Sequence, residues 1–167
     1  MPTKSEEEFN KLVEDNHASI YRICRAYIYD VSQADDLYQE ILFQIWKSVH
    51  NFKGNAKVST WIYRVAVNTA ISYNLKNKEQ ARQTLHIDIQ MPYEDTMPQK
   101  IEQEVQLDKL RYCISKLEAE SRLIISLVLE NKSYKEISEI TGTSTNWVGV
   151  KITRIKTQLL KLMQLQK

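Results

Sequence analysis

The sequence predicts an all-α protein: two small helical domains joined by a flexible linker, the C-terminal one a helix-turn-helix. Three observations carry this. Apolar residues recur at i, i+3 and i+4 through most of the chain, with few alternating apolar runs. Only three Gly and three Pro punctuate 167 residues, too few for the turns of a many-stranded sheet. The helical pattern lapses over roughly residues 82–100, where Pro92 and Pro98 stand among polar side chains with Glu94 and Asp95. The expected units are therefore 1–81, an acidic linker 82–100, and 101–167, each of a size that can fold.

Residues 5–29 read as a first helix or helix pair. Ser5 and Glu8 have capping-box spacing, and Phe9, Leu12, Val13, Ile20, Ile23, Cys24 and Tyr27 form the apolar stripe. Asp30 to Gln33 breaks it, with Ser32 the expected N-cap of a second helix, Ala34 to Val49. Leu37, Ile41, Ile45 and Val49 follow at i+4 steps, while Asp35, Asp36, Gln39 and Glu40 fill the first turns, where a helix's positive end favours acidic groups. No His and no third acidic residue converges on them, and no nucleophile motif accompanies them. A solvated or protein-docking face remains, rather than a catalytic one.

His50 to Val58, HNFKGNAKV, reads as a basic loop turning at Gly54 and Asn55, with Lys53 and Lys57 supplying charge. Ser59 to Asn74, STWIYRVAVNTAISYN, follows as an amphipathic helix. Trp61, Ile62 and Val65 are expected in the core. Tyr63, Arg64, Asn68 and Tyr73 remain as aromatic, guanidinium and amide groups able to meet bases or phosphates. In isolation, the same stretch also reads as an ordinary buried helix.

A second unit starts near Ile101. Val105, Leu107, Leu110, Ile114 and Leu117 predict one helix, and Leu123, Ile124, Leu127 and Val128 another after a break at Glu118 to Ser121. Ser133 and Glu136 open a short helix, Tyr134 to Ile140, which Gly142 ends. Ser144 or Thr145 then caps a long helix with Val148, Ile152, Ile155, Leu159, Leu162 and Met163 on one stripe. Short helix, Gly-containing turn and longer basic helix are the parts of a helix-turn-helix. In that geometry Thr145, Asn146, Trp147 and Gly149 lie nearest base edges, and Lys151, Arg154 and Lys156 nearer phosphates.

Charge is uneven along the chain. Residues 1–85 carry 11 basic and 10 acidic groups, 86–120 carry 4 and 8, and 121–167 carry 8 and 3. No acidic side chain follows Thr141, so the terminal block suits a phosphate backbone. Cys24 and Cys113 are far apart, without CxxC or Cys/His spacing, and read as buried thiols in a reducing cytoplasm; no metal site is expected. With no signal-peptide core and no run of about 18 apolar residues, a cytoplasmic protein without membrane insertion is expected. Nor is there a GxxxxGK phosphate loop, so neither ATP nor another cofactor is expected.

Three stretches resemble, in order, the small extracytoplasmic-function (ECF) group of bacterial RNA polymerase sigma factors. They are DDLYQEILFQIWKSVHNFKG (Asp35 to Gly54), STWIYRVAVNTAISY (Ser59 to Tyr73) and SYKEISEITGTSTNWVGVKITRIKTQL (Ser133 to Leu159). The resemblance implies a promoter-specificity subunit rather than an enzyme, whose partners are core RNA polymerase, promoter DNA as duplex and melted strand, and an anti-sigma protein. It implies polymerase docking by Asp36, Leu37, Gln39 and Glu40. It implies minus-10 contacts from Lys53, Asn55, Lys57, Tyr63, Arg64, Asn68 and Thr69, with a flipped base held in a pocket. Ser144, Thr145, Asn146, Trp147, Lys151 and Arg154 fall where the minus-35 reader lies.

Two departures stand out. Where many relatives read T-V-K-S-R, this chain has Trp147, Val148, Gly149, Val150 and Lys151, and Leu117-Glu118 replaces a common Leu-Pro. Trp147 can stack, pack on a thymine methyl, or anchor the turn in the core. Two other readings of the chain remain: a conventional dimeric helix-turn-helix transcriptional regulator, and a helical protein that sequesters a partner.

Overall fold

The computed structural model describes residue 1, residues 3–83 and residues 102–166, with no side chains considered at 78–83. The expected linker therefore lies almost wholly outside the described residues. Seven α-helices and one 3₁₀ turn are found among those that are described: α1 (Lys4–Tyr27), α2 (Val31–Ser48), the turn Val49–Asn51, α3 (Val58–Gln83), α4 (Glu102–Ser115), α5 (Ala119–Leu129), α6 (Tyr134–Thr141) and α7 (Thr145–Leu165). The all-α class follows directly from the apolar periodicity.

Helix ends moved where another side chain caps better. Thr3, not Ser5, begins α1, because Thr3 and Glu6 cap each other's backbone N–H reciprocally; the Ser5 hydroxyl instead lies beside His50. Asp30, not Ser32, caps α2 by accepting from the Gln33 N–H at 2.9 Å, and α2 starts at Val31. Helix α3 runs on to Gln83, past the expected end at Asn74. Residues 75–83 lack an apolar stripe but are mostly strong helix formers, which is enough to extend an already nucleated helix. The expected break at Glu118 to Ser121 is shorter than predicted, since α5 begins at Ala119.

Helices α1, α2 and α3 pack pairwise on one another, and α7 packs on α4, α5 and α6. The two groups also meet, through α1 with α5 and α4 and through α3 with α6, so that a single apolar core runs from Ile20 to Leu159. Helix α5 shows the effect best. Its run Leu123, Ile124, Ile125, Ser126 and Leu127 is buried without interruption, which a helix covered on one face cannot achieve. The Ser126 hydroxyl is satisfied by the Leu123 carbonyl at 2.7 Å.

Both cysteines are buried and free, as expected, and burial pushes the Cys24 thiol up to about 12, which leaves it unreactive.

Candidate polymerase and nucleic-acid interface

On α2 the apolar i+4 ladder is turned inward, which fixes what faces out. Leu37 has 0% exposure and belongs to the core with Ile41 and Ile45, so it is removed from the expected docking surface. Asp36 and Gln39 are exposed, and Glu40 is half-buried with its carboxylate accepting from the Gln44 side chain at 2.9 Å. Continuing that face at i+3 and i+4 steps brings in Phe43 and Trp46, both exposed, with Trp46 braced edge-on by Phe9 at 5.1 Å. Sequence reasoning assigned neither residue, although both continue the Asp36, Gln39 and Glu40 face at helical spacing.

The loop before α3 is held by Phe52, whose ring lies 5.1 Å from that of Trp61. Gly54 takes a left-handed φ of 76°, which a β-carbon would disfavour. Lys53, Asn55 and Lys57 are exposed on it. Along α3 the expected division holds for Ile62, which is buried, and for Asn68, which is exposed; Trp61 and Val65 are half-buried against the core. Thr69 goes the other way. It is 8% exposed and its hydroxyl donates to the Val65 carbonyl at 2.6 Å, so the structure places it with the core.

Tyr63 and Arg64 face the distal helices. Asn131 ends α5 in the left-handed region (φ 58°), with Asn131 N–H donating to the Val128 carbonyl and Lys132 N–H to that of Leu127. This closure presents Glu130 and Lys132 toward α1 and α3. Lys132 sits 4.4 Å from the centre of the Tyr63 ring, leaving Tyr63 4% exposed. Arg64 Nε donates to the Glu139 carbonyl at 2.7 Å. Arg22 forks onto Glu130 at 2.6 and 2.9 Å, and Arg122 donates to the carbonyls of Tyr27 and Leu117 at 2.7 and 2.6 Å. Lys57 also helps hold the Glu136 carboxylate below its ordinary range, though the Ser133 backbone N–H is the larger cause.

The distal helices adopt the expected turn. Ser133 and Glu136 cap α6 reciprocally, Gly142 closes it at φ 72°, and Ser144 caps α7 by accepting from the Trp147 N–H. Thr145, Asn146 and Arg154 are exposed, while Trp147 is half-buried against the core. Lys151 is not free for a phosphate. Its ammonium donates to Glu118 at 2.7 Å and Glu120 at 2.8 Å, and the pairing raises its pKa while lowering that of Glu118. The exposed carboxylates were missed because they lie more than thirty residues away in sequence. Glu118 stands where the common proline would be, and this ion pair is what it supplies.

Two family profiles match this chain in order: Sigma-70 region 2 over residues 12–80 and Sigma-70, region 4 over residues 107–159. The chain belongs to the sigma-70 family, as an ECF sigma factor. This sigma factor is 28% identical to the RNA polymerase sigma factor SigV of Bacillus subtilis, over 92% of this chain and 87% of that protein. It is 25% identical to the ECF RNA polymerase sigma factor SigW of the same organism, over 95% and 90%. Its fold matches the sigma factor RpoE of Bartonella quintana, solved with the anti-sigma factor NepR, at a TM-score of 0.74, 15% identity, and 96% and 99% coverage. CnrH, solved with the cytosolic domain of CnrY, matches at 0.68, 18% identity, and 95% and 89% coverage.

As an ECF sigma factor the protein is a promoter-specificity subunit of RNA polymerase. A stand-alone helix-turn-helix regulator would leave the region 2 match unexplained. Among the described residues no helix is long and apolar enough to cross a membrane, and no three His, Cys, Asp or Glu converge as metal ligands.

Proposed function

We propose that residues 1–81 dock on core RNA polymerase and capture the minus-10 strand, while residues 101–167 read the minus-35 element across the linker 82–100. The observation that carries this is the order of the two matched regions, ending in a capped α6–turn–α7 unit whose last helix bears no acidic group. Asp36, Gln39 and Glu40 form the polar part of the docking face, and Phe43 and Trp46 its apolar part. Lys53, Asn55, Lys57, Arg64 and Asn68 meet the melting DNA. Ser144, Thr145, Asn146 and Arg154 meet the upstream duplex.

Capturing a flipped base costs a few kcal/mol, which contacts and stacking with the captured strand must offset. Polymerase performs the synthesis, and the setting is the cytoplasm. An anti-sigma protein is a further partner, as the structurally similar RpoE was solved with the anti-sigma factor NepR. The closed packing adds a requirement. With Tyr63 and Arg64 set against Lys132 and Glu139, the distal helices must leave α3 before the minus-10 strand can bind there.

The test is run-off transcription with the purified full chain and bacterial core polymerase over fragmented genomic DNA. Transcripts starting at a shared pair of upstream elements are expected. Absence of any chain-dependent transcript would overturn the reading.

A further inference from the structure

Resting on the reading of α6–α7 as the minus-35 reader, we infer that it recognises thymine C5-methyl groups through an uncharged, largely apolar face. Asn146, Gly149, Val150, Thr153 and Thr157 share one side of α7 at i, i+3, i+4, i+7 and i+11. None is charged. Val150 is 45% exposed, at the centre of that side. The hydroxyls of Thr153 and Thr157 both fold back, donating at 3.0 Å to the carbonyls of Gly149 and Thr153, so each exposed threonine offers its methyl outward.

Gly149 is filled from outside its own helix. A β-carbon there would lie 3.5 and 3.7 Å from the ring of Tyr134, the exposed first residue of α6. The ring therefore takes the place of a side chain and extends the apolar strip. Lys151, the cation nearest the strip in sequence, is held away by Glu118 and Glu120. Arg154 and Lys156, exposed beside the strip on a helix without acidic groups, supply the attraction for phosphates.

Uncharged methyl-bearing faces in the major groove pack on thymine, because its C5-methyl is the apolar feature among the base edges. Asn146 remains to pair with an adenine. The face thus reads T·A-rich sequence by apolar contact, where a lysine at Gly149 would have read by hydrogen bonding.

The test takes the upstream element found by run-off transcription and replaces its thymines one at a time by deoxyuridine, which removes the methyl and keeps base pairing. Holoenzyme binding is expected to weaken about fourfold at each contacted position, the equivalent of about 0.8 kcal/mol for one methyl-sized group. In a Val150→Ala, Thr153→Ser variant, both exposed sites, the penalty should vanish at the positions those two side chains contact, and the unmodified element should be bound about as weakly as the deoxyuridine one is by the native holoenzyme. If deoxyuridine changes nothing though scrambling the element weakens binding, the reading of α6–α7 stands and the methyl inference falls. A penalty that survives at every position in the variant overturns the assignment to these residues. With no chain-dependent transcript from any fragment, both fall.

Discussion

The Arg22–Glu130 fork helps to hold the distal helices on α1 and α3, and Glu130→Arg tests its share. The Glu130 side chain is 8% exposed and that of Arg22 is 60% exposed, so water screens the pair from one side only. Its loss is set at about 1 kcal/mol, toward the upper end for exposed pairs. A second guanidinium in the covered position adds repulsion of about another 1 kcal/mol. Together these shift the opening equilibrium about 30-fold toward separated domains. The packing of α1, α2 and α3 on one another and of α7 on α4, α5 and α6 does not involve this pair, so the fold of each unit is expected to persist.

Opening is read in the full chain by energy transfer between dyes on Lys47→Cys and Lys161→Cys, both exposed, while the buried Cys24 and Cys113 stay unlabelled. Affinity for a single-stranded minus-10 oligonucleotide should rise in step, since apparent affinity scales with the binding-competent fraction. Adding Arg22→Glu restores opposite charges and should close the molecule again. An unchanged dye distance and unchanged oligonucleotide affinity in a folded Glu130→Arg protein would refute the clasp.

Further outcomes follow from the same structure. Asn68→Ala should slow open-complex formation at least severalfold while polymerase binding is kept, as read by permanganate footprinting of the melted region. Glu40→Lys should give the reverse, loss of co-purification with core polymerase and an unchanged melting curve. Gly142→Ala places a β-carbon at φ 72° and should cost about 1 kcal/mol, lowering Tm by roughly 2–4 °C in a calorimetric scan. Glu136 has a lowered folded-state pKa because the Ser133 backbone N–H donates to it, so its contribution is present above the ordinary carboxylate value. That contribution is lost as pH falls through the folded value; Glu136→Gln should therefore flatten the acid limb of stability against pH.

Much of the candidate site was legible because it rests on local rules. The Ser133–Glu136 box, the Gly142 stop and the Ser144 cap are read from residues within four positions of one another, and all three stand in the structure. Asn68 could be placed on the outside of α3 by period alone. Leu37 was misplaced by adjacency: it follows Asp35 and Asp36 in sequence, yet the helical turn sends it inward with Ile41 and Ile45. Lys151 looked like a phosphate ligand because its carboxylate partners lie on α5, beyond any local pattern. Thr69 looked available because a threonine hydroxyl that bonds back to its own helix leaves no trace in sequence.

By itself the sequence determined the helical class, the helix order, the turn before α7, and the motifs that identify a sigma factor. Each depends on side-chain period, capping chemistry or residue identity, which are properties of short stretches. Only the tertiary structure decided that α5 is covered on both faces, that Tyr63 is buried beside Lys132 while the exposed Arg64 bonds to Glu139, and that Tyr134 fills the space over Gly149. These are contacts between residues 15 to more than 100 apart, set by how whole apolar faces fit together once each helix has formed.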